Sequence, residues 1–529
     1  MNYKRVIKNY SKKEKKLSRY LVISLIALFA FKFIIGQINN FTENQRKDMY
    51  TEFIPEKFTG INPFYESYSK SNSDISKLLY RGLIKINPET KEYESDLAAF
   101  IVNDDSTEFK FMLNNDQYWS DGSPITNNDI ITTYNEIIKS NNFNNQILKS
   151  NFEGVKIYEN TNKEIIFKLE SPNNFFLANL TLAIVPKSTK ESFLKQNFYI
   201  KEDNCEECIF SGDFNLEKII EKDNFHEIIL KSEELKIKNI RFLISNENQE
   251  ITKESNSNFY TTNTDQYYLL PKYTALFINQ ENEFLRNINL RRAINNSIKK
   301  EELGEKLFNK IMIDNPFFQY EENKSAQNNT SISEIKETLE NKGFEYKEDI
   351  LFYNNKPVRI GLIIQNFEIN KERNQENQII KDYLEEKLKS IGIQIVSYNY
   401  DKETFQDLLL GKNYDLALFG HDLGNNLDSY GFWHSSQTNP GSLNISNYQN
   451  ALTDKLLEKL RKNSSSKNQI KLVKDLNREL KNNLPAIFLF TEKKGFEVDN
   501  KIKNRKILES YYKPSDRFFD INLWTINNF

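Results

Sequence analysis

The sequence predicts an α/β fold preceded by one transmembrane helix, and three observations carry that reading. Short apolar runs bounded by turn residues alternate with segments of helical period. One stretch places a helix, a glycine stop and a strand in direct succession. A strongly basic tail precedes the longest apolar run of the chain.

The N-terminus comes first. Residues 1–20 hold eight cations and the single acid Glu14, a charge of +7. An apolar run follows from Leu21 to Phe31, is interrupted by Lys32 and resumes to Gly36. With Tyr20 and Ile38 it approaches the roughly 17–20 residues that span a bilayer. Lys32 near its outer end can snorkel. We read residues 1–20 as a cytoplasmic basic tail, 21–38 as a transmembrane signal anchor and 39–48 as a polar tether. A cleaved signal peptide is the other reading. No convincing small-x-small cleavage site and no cysteine for lipid attachment follow the run, which favours the uncleaved anchor. The expected localisation is a cell membrane crossed once, with the main body extracytoplasmic. Setting aside that +7 and Lys32 from the chain's −2 leaves −10 on the remainder.

Composition narrows the function. Lys and Arg number 72 against 74 Asp and Glu, so a nucleic-acid binder with a dominant basic face is excluded. Aromatic residues reach 13% and supply a core although hydrophobic residues are only 38%. Two cysteines and three histidines in 529 residues exclude a disulfide scaffold and leave little for a metal site. Cys205 and Cys208, in a loop-like run, read either as a small disulfide loop or as unpaired thiols; a redox or metal role fits the surroundings less well.

Strands are expected at residues 109–113, 164–169, 240–244, 275–279, 358–364, 393–398, 414–419 and 486–490. Helices are expected at 127–139, 290–309, 331–341, 376–391, 453–461 and 466–480. The fourth helix puts Ile380, Leu384 and Leu388 on one face, with Ile379 and Tyr383 beside them. Gly392 then ends it and the strand at Ile393 begins. Residues 246–258 and 321–332 read as polar loops.

Nucleotide-binding glycine loops, a nucleophile elbow and zinc-protease spacings are all missing, and no nucleophile–base pair is visible. One segment remains for ligand chemistry, Gly420 to His434, expected as a loop leaving the carboxyl end of a strand. His421, Asp422, Asp428 and Trp433 there suit a polar and aromatic pocket. The alternative is structural: Asp428 as a turn cap, Trp433 and His434 as core.

These residues also carry a resemblance. Tyr50 to Glu52 with Ile61-Asn-Pro63, Leu79-Tyr-Arg-Gly-Leu83, and Asp96-Leu-Ala98 open a series of short motifs. Trp119-Ser-Asp-Gly-Ser-Pro-Ile-Thr126 with Asp129 is the most specific of them. Arg291-Arg-Ala-Ile294, Leu339 to Phe344, Ile391-Gly-Ile393 and Tyr414-Asp-Leu416 follow. Phe432-Trp-His-Ser-Ser-Gln437, Asn444, Asn447-Tyr448, Asp454 and Leu484-Pro-Ala-Ile487 complete it. In that order, over roughly 440 residues, they resemble the family-5 extracellular solute-binding proteins, the peptide-binding components of ABC importers.

The resemblance implies a periplasmic-binding-protein-like clamshell of two α/β lobes with an extra subdomain. Lobe I would comprise residues 49–75, 176–260 and 488–529, the subdomain 76–175 and lobe II 261–487. It implies a monomer without catalytic residues, metal or cofactor, handing a peptide to an ABC permease. Asp422, with Asp428 second, would pair with a ligand ammonium. Backbone near Glu52 would pair with an extended peptide, and His421 and Trp433 would line the cleft. Two alternatives stand beside it: the same fold with a non-peptide solute (a metal chelate, haem or sugar), or a degenerate surface sensor. The sequence departs from the family at His421, where tryptophan is usual, and at Asn425 to Asp428, where a Pro-Asp-Pro-Asp run is usual. Its Ser211-Gly-Asp-Phe214 turn is reduced, and a strand–helix module is missing after Ile244. By their own chemistry, Thr126 with Asp129 reads as a helix capping box, and Arg291 and Arg292 as solvent-facing or ion-paired.

Overall fold

The computed structural model describes residues 49–526, except 55, 195–207, 223–224, 246–265, 321–328, 368–370, 425, 464–465 and 497–500. The basic tail, anchor and tether expected in residues 1–48 lie outside the described residues. Within them, no helix is long and apolar enough to cross a membrane.

Two four-stranded sheets share one core. In the first, Met49–Ile54 runs parallel to Asn239–Ile244, which pairs antiparallel with Phe225–Lys231 and then Asn215–Lys222. In the second, Ala98–Val102, Glu108–Leu113, Ile165–Lys168 and Lys156–Glu159 are all antiparallel neighbours. Alternation decides the inward face: Phe109 and Phe111 are buried while Met112 is exposed. Phe109, Phe111, Phe167 and Phe176 join Ile75, Leu79, Ile228 and Phe242 in one continuous cluster, so the second sheet is fused to the first. The aromatic-rich composition is spent here, on edge-on ring pairs such as Tyr134–Phe167 and Phe111–Phe167. Asn127–Ile131 starts on the expected capping box and continues as a π-helical segment, Thr132–Ile138.

The second body is built on a seven-stranded sheet. Its order is Gln266–Leu269, Ala486–Phe496, Lys272–Ile278, Leu416–Asp422, Arg359–Gln365 and Gln394–Tyr400, with Lys310–Met312 beside Ala486–Phe496. Arg359–Gln365 is parallel to both neighbours. Both faces are covered. Leu276, Leu362, Ile380, Leu384 and Leu388 pack on one side; Phe277, Phe405, Trp433, Leu457 and Leu476 pack on the other. The helix Lys371–Ser390 ends at Gly392, whose φ of 82° places it in the left-handed region.

Three local expectations change. The helical period over 290–309 is two helices, Ile288–Ser297 and Lys300–Lys306. Between them the Tyr383 hydroxyl accepts from Lys299 N–H at 3.0 Å and donates to Lys299 C=O at 2.7 Å, drawing the chain off the helix path. The strand expected at 414–419 runs on to Asp422, because Lys272–Ile278 continues its ladder from Ile278↔Leu416 to Lys272↔Asp422. Arg291 neither faces solvent nor pairs with an acid: it is buried, and its guanidinium donates to the carbonyls of Leu285, Arg286 and Asn483. Arg292 is exposed.

The bodies are joined by chain that crosses between them. The far end of Ala486–Phe496 pairs with Gln266–Leu269, which also bonds the returning C-terminal segment: Leu269 N–H donates to Glu509 C=O and Tyr511 N–H to Leu269 C=O. Tyr268, Leu270 and Tyr511 form a small core at that joint. Beyond it, Pro514–Phe518 docks on the helix Lys70–Leu79 of the first body, with Ser73 donating to Ser515.

Candidate functional site

The parallel strands Arg359–Gln365, Gln394–Tyr400 and Leu416–Asp422 all end on the side of the joint. That is the side on which open α/β sheets hold ligands. Asp422 ends the last of them. It is exposed and, among the described residues, accepts the Gly424 N–H at 3.0 Å. Directly opposite on the neighbouring strand stands Lys272. Burial pushes the Lys272 ammonium below the usual lysine range and Arg373 adds to that, against Asp422.

The other wall comes from the returning chain. Lys513 donates to Glu66 at 2.9 Å. Burial opposes its charge, yet Glu66, Asp516 and Asp422 together hold the ammonium above its usual range. Asp422 is thus near enough for its charge to act on Lys513. Tyr93, in a short strand paired with Ile84–Ile86, Tyr320 of the larger body and Tyr512 of the returning chain are likewise near neighbours. Burial, then Tyr320, pushes the Tyr512 hydroxyl up to about 12. Beside them a small open cleft of about 40 Å3 is lined by Glu66, Lys77, Tyr80, Asp96, Lys513 and Asp516, among others. Among the described residues the buried Tyr80 hydroxyl has no hydrogen-bond partner.

The expected site residues are not all brought together. Asp422 lies at the carboxyl end of its strand. His421, its neighbour on the strand, points to the opposite face. It is buried, bonded through Nδ1 to the Tyr273 hydroxyl at 3.1 Å, and its ring lies 3.9 Å from Phe432. Burial pushes its imidazole down to about 3, so the ring is neutral. Trp433 is a core side chain, stacked 8° from parallel on Phe277 and edge-on to Phe488.

Glu52 has its side chain consumed by a buried ion cluster. Arg517 donates to both its oxygens at 2.7 and 2.6 Å, Lys70 at 2.7 Å and Tyr50 at 3.1 Å. The same Arg517 and Lys70 hold Asp74, which is fully buried. Burial opposes ionisation of Glu52, but Arg517 and Lys70 overcome it and hold the carboxyl far below the usual range. The cluster carries two acids and two cations and pins the C-terminal segment to the first strand. Only the strand's backbone remains for a ligand.

Asp428 faces both bodies. Arg461 grips it with Nε at 3.0 Å and Nη2 at 2.9 Å, and Asn173, next to the second sheet, donates to it at 3.0 Å. Arg461 also lies 3.7 Å above the Tyr430 ring. Asn174 donates to the Asn463 carbonyl at 3.1 Å and Asn426 to Asn179 at 3.4 Å. These contacts bridge the bodies.

Cys208 is disulfide-bonded, and Cys205 lies outside the described residues. The Trp119–Asp129 segment is scaffold: Asp121 accepts from Ser123, and Asp129 accepts the Thr126 N–H and hydroxyl at 2.8 Å. Among the described residues no group of three or more His, Cys, Asp and Glu could hold a metal ion. Lys272, Lys513, Tyr93, Tyr320 and Tyr512 were not legible as site residues. The one signal available was Lys272, a lone charge opening the run Tyr273 to Ile278 at a strand end.

Comparison with known proteins bears on the family and the fold. Residues 92–442 match the model of the bacterial extracellular solute-binding proteins, family 5 middle region. A probable ABC transporter-binding protein of Deinococcus radiodurans is 29% identical over 204 residues, 34% of this chain. That match spans about a third of the relative's length, 33%. Among solved structures, AppA of Bacillus subtilis in complex with a nonapeptide has a TM-score of 0.68 at 18% identity, covering 91% of this chain and 99% of its own. NikZ of Campylobacter jejuni in complex with Ni(L-His) has 0.68 at 19%, covering 90% and 99%. DppA of Helicobacter pylori in complex with the peptide STSA has 0.67 at 15%, covering 92% and 100%. At such identities the likeness is one of fold.

Proposed function

Because the chain belongs to family 5 of the bacterial extracellular solute-binding proteins, which bind solutes and are not enzymes, we propose that it captures short peptides between its two bodies and delivers them to an ABC permease. The reading is supported by Asp422, at the carboxyl end of its strand, standing near enough to the returning chain for its charge to act on the Lys513 ammonium. A hinge at the joint lets two rigid bodies close over a guest. Asp422 is the acid available for a peptide ammonium, since Asp428 is committed to Arg461. A charge-assisted bond there, shielded by closure, contributes a few kcal/mol. Backbone of Met49–Ile54, at the open edge of its sheet, would pair with an extended peptide while tolerating many side chains. Membrane attachment through residues 21–38 would keep the protein beside its permease.

Relatives of this fold carry nickel–histidine as well as peptides. The His421 ring is buried on the strand face opposite Asp422 with its Nδ1 bonded to the Tyr273 hydroxyl, so direct metal ligation by His421 has no support here. Thermal unfolding of the full chain with a peptide library tests the proposal. A peptide at about 100 times its dissociation constant adds about 2.7 kcal/mol. Absence of a shift with every peptide would remove the peptide reading. Asp422→Ala should weaken peptides with a free amino terminus more than acetylated ones, and an equal loss would remove Asp422 from that role.

A further inference from the structure

The helices Ala451–Lys462 and Ser466–Asn483 pack on each other and bury Leu457, Leu460, Val473, Leu476 and Leu480 in the larger body. Their outward side is basic. Residues 451–483 hold nine cations and four acids, a charge of +5, within a remainder that carries −10 beyond the apolar run. Lys467, Lys471, Lys474, Arg478 and Lys481 recur at spacings of four and three, which lines them up in one stripe about 21 Å long. Lys455, Lys459 and Lys462 repeat the pattern on the other helix, and all eight are exposed. Arg478 is taken by Asp475 and Lys481 by Asp314. The other six lysines have no ion pair among the described residues. The remaining acids of the pair are engaged elsewhere. Asp454 accepts the Ser435 N–H at 2.9 Å, Glu458 lies 3.7 Å from His434 Nε2, and Glu479 accepts from Asn483 at 3.3 Å. Other exposed lysines do find an acid, as Lys356 finds Glu283 and Lys506 finds Glu89.

Like charges at such spacings repel, and a polyanion relieves them. The residue types indicate which polyanion. The stripe offers no free guanidinium fork for gripping carboxylates, since Arg478 is spent on Asp475 and Arg461 on Asp428. Flexible lysine point charges suit a diffuse layer of phosphates. Leu452 and Ile470, exposed beside them, suit the apolar boundary under such a layer. Residues 39–48 reach roughly 35 Å at most, so attachment through residues 21–38 keeps this body beside a bilayer. We infer that the helix pair 451–483 is a docking face for the anionic phospholipid headgroups of that bilayer. The inference goes beyond solute capture and rests on the membrane attachment proposed above.

Lysine acylation read by mass spectrometry tests it. The full chain is reconstituted in vesicles of phosphatidylcholine, or of equal parts phosphatidylcholine and phosphatidylglycerol. The expected result is about fivefold slower acylation of Lys459, Lys467, Lys471 and Lys474 on the anionic vesicles, with Lys356 and Lys506 unchanged. Salt at about 1 M, which shortens screening to about 3 Å, should remove the difference. The combined Lys467→Gln, Lys471→Gln and Lys474→Gln variant, at an unchanged melting temperature, should lose the protection at Lys459. Equal rates on both vesicles overturn the lipid face. Protection seen only in native membranes overturns it as well and assigns an acidic protein partner. Flotation separates the two readings. A chain that fails to float with the neutral vesicles overturns membrane attachment, and flotation with the anionic vesicles that the triple variant loses leaves the docking face standing.

Discussion

Arg517 shows how much one side chain can hold. Its guanidinium is 1% exposed and serves Glu52 and Asp74 together, joining the first strand, the helix Lys70–Leu79 and the returning C-terminal segment. Removing it leaves two carboxylates buried against the single ammonium of Lys70. Arg517→Ala should therefore lower stability by about 3–5 kcal/mol, read as a shift of the denaturant midpoint. Glu492 gives a pH signature at the same scale. Burial works against its charge, but Lys494 and Lys310 bring its carboxyl down to about 2 from the ordinary 4.5. A carboxyl lowered on folding stabilises above its unfolded value, and that contribution fades as pH falls from about 4.5 toward about 2. Glu492→Gln should flatten the acid limb of a stability–pH profile within that window. His421 was legible as a residue of interest, but only the packing of Tyr273 and Phe432 shows it to be a structural, neutral ring. A lone histidine in a sequence carries no record of which strand face it will take.

Elements were more legible than side-chain roles. Helix Lys371–Ser390 with its Gly392 stop followed from a 3.6-residue period and one glycine, both local facts. The end of the strand at Asp422 did not, because its last residues are extended by a partner 150 positions earlier, Lys272↔Asp422. The reduced turn at Ser211 to Phe214 is explained by close approach. A Cβ on Gly212 would lie 2.2 Å from the Leu78 carbonyl oxygen. Gly212→Ala should force the backbone apart at a loss of about 1–3 kcal/mol, visible in thermal melts. The rim formed by Asp428, Arg461 and Asn173 gives a kinetic prediction. Asp428→Ala removes a charge-assisted bond between the bodies, worth about 1.5–3 kcal/mol, and should speed peptide release about tenfold or more while the association rate changes little. Stopped-flow release kinetics check it; an unchanged release rate would mean that the rim does not hold the closed form.

At the scale of the whole molecule, the α/β class and the family motifs were visible because they recur as short, ordered patterns. What the motifs could not place was the cleft. Lys272, Asp422 and Lys513 are separated by up to 241 positions in the chain, and each is one charged residue among many in a nearly neutral sequence. The strand pairing and the docking of Pro514–Phe518 bring them near enough for Asp422 to act on both lysines. The central claim is that two bodies close about that joint over a guest. Small-angle X-ray scattering of the full chain, with and without a saturating peptide identified by thermal shift, tests it most directly. The account predicts a smaller radius of gyration in the bound form. A bound peptide that leaves the scattering curve unchanged, in the wild type and in Asp428→Ala alike, would contradict it.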